Sequence, residues 1–161
     1  MRASLRHEDR MDENQEGLTL ASWAAGLWYK HRRGVPLAGH EAAIVYCMEY
    51  HSEWRSRWDA LGSSSDPQLS HDVLHVHHDA MIKMQIDAKE PAEVGECYQK
   101  LRDKGFTEFE ALHTFVPALS ETLWVAKTKN QPFDNQQYIQ LVQDYTKVAL
   151  QRPTFVRRWQ K

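Results

Sequence analysis

From Leu18 onward, apolar residues recur at intervals of three and four, the period of a helix buried along one side. Leu20, Trp23, Ala24, Leu27 and Trp28 mark a first helix over about 18–33. Lys30, His31, Arg32 and Arg33 fill its last turn, where cations meet the negative end of the helix dipole, and Gly34 followed by Val35-Pro36 stops it. In a second helix, about 37–61, Ile44, Cys47, Met48, His51, Trp54 and Trp58 share one arc. Gly62-Ser63-Ser64-Ser65-Asp66-Pro67 reads as a loop. A third helix opens at Ser70 and continues to Ala88; Pro91 begins a short fourth that ends at Gly105. Thr107 with Glu110 three positions on reads as a capping box for a fifth helix, about 108–129, which Pro117 should bend. Asp134 caps a sixth through Leu150, with Tyr138, Leu141, Val142, Tyr145 and Val148 on its apolar side.

No segment alternates with the period of two that a half-buried strand requires, and no repeat of solenoid length occurs. The expected fold is therefore all-α, a single-domain helical bundle of about six helices over 17–150. A polar, flexible tail is expected at 1–16, where Met11 offers an alternative start, and a basic tail at 151–161.

The chain has 161 residues, enough to bury a substantial core. Lys and Arg together number 20 against 22 Asp and Glu, so the surplus of positive charge expected of a nucleic-acid binder is missing. Cys47 and Cys97 form neither a disulfide framework nor a Cys-x-x-Cys pair. The first residues are too polar for a signal peptide and no apolar run is long enough to span a bilayer, which makes a cytoplasmic protein the expectation. Nucleotide-binding and nucleophile-elbow motifs are absent, so no nucleotide or organic cofactor is indicated.

Histidines on helices, accompanied by carboxylates, carry the candidate chemistry. On the third helix His71, His75 and His78 stand at i, i+4 and i+7 and share an arc of roughly 60°, with Asp79 at its edge. Imidazoles one turn apart can converge on a transition-metal ion, and carboxylates add charge and ligands. A solvated face carrying histidine accounts for the same pattern. Glu110 and His113 form an ExxH pair of the kind that di-metal carboxylate bundles use, although the capping box alone is reason enough for Glu110. Glu121 lies further along the edge that His113 occupies. His51 sits in the apolar arc of the second helix, as a ligand or as a hydrogen-bonded core residue, with His40 and Glu41 on nearby angles. If the second, third and fifth helices face one another, His51, His75, Asp79, Glu110, His113 and Glu121 form one candidate ligand set, with His71 and His78 as secondary members. Nitrogen and carboxylate donors suit zinc or iron better than calcium.

The order of landmarks resembles the bacterial family catalogued as domain of unknown function 1841. Trp28-Tyr29-Lys30-His31-Arg32-Arg33-Gly34-Val35-Pro36-Leu37 is similar to that family's W-x-K-x-R-x-G-x-P-L segment, and Glu49-Tyr50-His51 to its P-E-Y-H element with Met48 in place of proline. Leu74-His75 matches the start of its L-H-x-x-x-H helix, whose second histidine is Asp79 here; Gln85, Pro91, Glu110 with His113, Glu121 with Leu123-Trp124, Asp134 and Tyr138 follow in order. The resemblance implies a helical domain in which His51, His75, Glu110, His113 and Glu121 are shared positions, and it implies no activity. The leading expectation is a metal-binding bundle. The competing one is a non-catalytic interaction module with structural histidines, which uses its aromatic stripes or basic end to meet a protein partner or a second copy. A third treats the histidine-rich face as a pH sensor.

Overall fold

Helices account for every regular element among the described residues, 20–62 and 66–151 of the computed structural model, and no strand occurs there. The expected all-α class is what the chain adopts. The tail expected at 1–16, the three serines of the loop, and all of the basic end except Gln151 lie outside the described residues.

Helix α1 covers 20–32 and stops as its sequence dictates: Gly34 takes a φ of 71°, and the Val35 N–H bonds back to the Lys30 carbonyl at 3.0 Å. Then come α2 (Gly39–Tyr50), a 3-10 turn (Ser52–Trp54), α3 (Arg55–Ala60), α4 (Pro67–Ala88) and α5 (Ala92–Asp103). Helices α6 (Glu108–His113), α7 (Val116–Lys129) and α8 (Asn135–Gln151) complete the chain. Thus six expected helices become more, because two of the long ones are broken.

Each break has a local cause. At Pro117, the second residue of α7, there is no N–H for the carbonyl one turn back; the chain tightens instead, with the Phe115 N–H on the Leu112 carbonyl at 3.0 Å. The other break falls at His51, whose ψ of 58° leaves the helical region. No glycine or proline marks it. What offsets the lost helical hydrogen bonds is the indole of Trp58, whose Nε1–H donates to the Met48 carbonyl at 2.9 Å.

The chain divides into two compact units, one running to Ala80 and the other beginning at Met81. In the first, Leu27, Trp28, Ile44, Met48, Trp58 and Val76 are buried, and Asp72, Asp79 and His51 are buried with them. In the second, Ile82, Leu101, Phe115, Leu119, Tyr138 and Val142 form the core, with α5 and α7 both packed on α8. Fully burying one such side chain contributes about 1.5–3 kcal/mol, so these residues dominate the stability of that unit.

Candidate metal centre

The buried stripe of α4 runs through Leu69, Asp72, Val73, Val76, Asp79 and Ala80, at spacings of three and four. Two carboxylates therefore lie on the apolar side of this helix, and each is met by partners. Asp72 accepts from the Arg57 guanidinium at 2.6 Å and from the Gln68 amide at 3.0 Å. Asp79, with 0% exposure, meets imidazoles.

His51 Nε2 lies 3.1 Å from Asp79 Oδ2, and His75 Nε2 lies 3.4 Å from the same oxygen. His75 reaches it from one turn earlier on α4. His51 reaches it because the helix ends at Tyr50, which frees the backbone of residue 51 to turn. His51, His75 and Asp79 each offer a ligand atom, and these atoms lie within 4.8 Å of one another. The two imidazole rings stand 5.1 Å apart at 67°. His51 is buried, whereas the His75 side chain is 34% exposed, so the solvent side of the cluster is at His75.

Surrounding groups fix His51 from three directions. Its Nδ1 lies 3.3 Å from Glu53 Oε1, the ring of Trp54 stacks on it at 4.4 Å and 12°, and Tyr50 meets it edge-on at 5.6 Å. Trp54 is held in turn by Arg57, whose guanidinium lies over the indole at 5.9 Å while bonded to Asp72. On the chain's other side of His51, Glu49 accepts from His31 at 2.7 Å and from Arg55 at 2.8 Å, clamping the end of α2 between α1 and α3. Burial works against the Glu49 charge, yet the hydrogen bonds from His31 and Arg55 and the Arg55 charge outweigh it and hold the carboxyl below its ordinary range.

Burial likewise opposes a charge on His51, but the carboxylates of Asp79 and Glu53 prevail and its pKa is raised. A carboxylate stands at each ring nitrogen, an arrangement that favours the doubly protonated imidazole. His78 goes the other way: burial, together with the His75 charge, lowers its pKa against the pull of Asp79.

The remaining expected ligands are placed as follows. His71 is exposed on α4, and His78 is half-buried outside the cluster. In the second unit, His113 ends α6 with its ring edge-on to Phe109 at 5.8 Å. Glu121 is exposed on α7 and is not among the clustered ligands. Glu110 is engaged elsewhere: its Oε2 accepts the Thr107 N–H at 2.7 Å while its own N–H donates to Thr107 Oγ1 at 3.3 Å. The Glu110 carboxylate is thus engaged at a helix terminus, in the capping box its spacing from Thr107 predicts. Replacing Glu110 with Ala should cost about 1 kcal/mol in urea unfolding and leave metal affinity unchanged. A tenfold loss of affinity would restore it as a ligand.

Sequence reasoning missed Glu53, Arg57 and Asp72. A carboxylate two positions after a histidine is the one signal that could have flagged Glu53; Arg57 and Asp72 are 15 positions apart and meet only in the fold.

One protein family, described as a domain of unknown function (DUF1841), matches residues 21–144. No curated protein and no solved structure gives a match.

Proposed function

The chain belongs to this family of unknown function, which lends it no chemistry, and we propose that its role rests on a transition-metal ion held by His51, His75 and Asp79. The observation that carries the reading is one carboxylate oxygen set between two imidazole nitrogens. Donors that share an ion at 2.0–2.2 Å stand roughly 2.9–3.5 Å apart, and their imidazole centroids roughly 4.4–5.2 Å apart. The spacings here are 3.1 and 3.4 Å, with centroids at 5.1 Å. The longer of them is poor for a hydrogen bond and ordinary for two ligands of one ion.

Two imidazoles and a carboxylate suit zinc or iron. Three protein ligands leave one position open on tetrahedral zinc and three on six-coordinate iron, for water or a substrate. Glu53 supplies the acceptor that metal-bound histidines usually have: with Nδ1–H donated to it, Nε2 keeps the lone pair. No helix among the described residues is long and apolar enough to cross a membrane, and the reading involves none.

Protein made without a histidine tag should carry about one zinc or iron per chain, lost on His75→Ala. A trace content that the substitution does not change would overturn the reading. Protons should compete with the ion at His51. Because its pKa is raised above 6.5, apparent affinity should fall about tenfold per pH unit once the pH drops below that raised value. Competition against a chelator between pH 5 and 8 checks this, and an affinity flat across that range would contradict it.

A further inference from the structure

A second imidazole pair stands in the first unit, made from residues that the metal centre does not use. His40, in the first turn of α2, and His77, on α4, have ring centroids 4.9 Å apart at 74°. Trp23 of α1 stacks on His40 at 5.6 Å and meets His77 edge-on at 6.3 Å, forming an aromatic wall beside both. His77 Nδ1 is buried and has no hydrogen-bond partner among the described residues. A buried ring nitrogen without a partner is uncommon and calls for a water, an ion or another explanation.

The ring separation disfavours a bridging water and fits either edge-to-face contact of the two rings or an ion held between them, and the unpartnered His77 Nδ1 favours the ion. A water bridging two imidazoles at ordinary hydrogen-bond distances holds their centroids roughly 5.7–6.5 Å apart. A metal ion bound by both, at 2.0–2.1 Å from each nitrogen, draws them to roughly 4.4–5.2 Å. The observed 4.9 Å falls within the second range. A direct ring-to-ring hydrogen bond through His77 Nδ1 is ruled out by the lack of a partner at that atom. We propose that His40 and His77 form a second cation site, one that takes a divalent ion of the imidazole-preferring class, zinc or copper, through two protein nitrogens with water completing the shell. With two protein ligands instead of three, and no carboxylate among them, it binds more weakly than the His51–His75–Asp79 centre.

The test is calorimetric titration of the untagged, chelator-stripped full chain with Zn2+, with circular dichroism to confirm the fold of each variant. Wild type should bind two equivalents, the second weaker. His40→Gln alters a half-buried position in the first turn of α2, and His77→Phe keeps an aromatic ring in place; each should abolish the weaker equivalent and retain the tighter one. His75→Ala should do the reverse. Retention of the weaker equivalent in either His40→Gln or His77→Phe, or a wild type whose single equivalent survives both substitutions, overturns the inference. A wild type that binds one equivalent, lost in His40→Gln and His77→Phe but kept in His75→Ala, would instead uphold this site and overturn the reading of the His51 centre.

Discussion

Asp79→Asn is expected to weaken zinc or iron binding at least 100-fold. The amide keeps the shape of the carboxylate but removes both the anionic ligand oxygen and the charge that offsets the ion, and losing even an outer partner of a metal ligand costs 10–100-fold. The same substitution destabilises the metal-free protein, because the Asp79 side chain is wholly buried against His51. Depriving a buried charged group of its partner costs about 3 kcal/mol, with the amide at the lower end of that effect and Asp79→Ala at the upper. The pH dependence has a definite sign. His51 has a raised pKa in the folded chain, so the stability it gains from Asp79 is fully present below pH 6.5 and is lost as the pH rises through the raised value. The gap between wild type and Asp79→Asn, measured by urea unfolding in chelator, should therefore be widest near pH 5.5 and narrow toward pH 8.5. A gap that widened with pH would show that His51 is not the proton-bearing partner.

Phe115→Ala should be the most damaging substitution in the second unit. Phe115 is 0% exposed, sits in the turn between α6 and α7, and packs among Leu112, Ala118 and Leu119 in the core. Removing a ring from such a site costs about 3–5 kcal/mol through lost burial and the cavity left behind. Against a total stability of about 5–15 kcal/mol for an ordinary domain, that is a large fraction. The expected readout is a lower urea midpoint. A loss under 1 kcal/mol would mean that the ring is replaceable by its neighbours.

Much of this architecture was legible in the sequence. Gly34, the Thr107–Glu110 capping box and the α8 positions Tyr138, Leu141, Val142 and Tyr145 act as their residue types dictate, whereas Val148, expected on the apolar side, is exposed and Thr146 is buried. The His51 break was not legible. Nothing local stops α2 at Tyr50; the turn depends on the Trp58 indole satisfying the Met48 carbonyl, a bond between residues ten positions apart. Periodicity had also grouped His71, His75 and His78 as one face with Asp79 at its edge; that Asp79 is wholly buried, and meets His51 across 28 positions, was not legible. Helical spacing tells which side chains share a face. It does not tell which face a neighbouring helix will cover, and a buried carboxylate is recognisable only once its partners are in place.

The most direct test of the metal centre is Zn2+ uptake at a chelator-buffered nanomolar free concentration, comparing wild type with His75→Ala and Asp79→Asn. The account predicts about one ion per wild-type chain and essentially none in either variant, with all three folded. Equal uptake by the three proteins, whether one ion or none, would contradict it and leave His51, Asp79 and His75 as a hydrogen-bonded cluster.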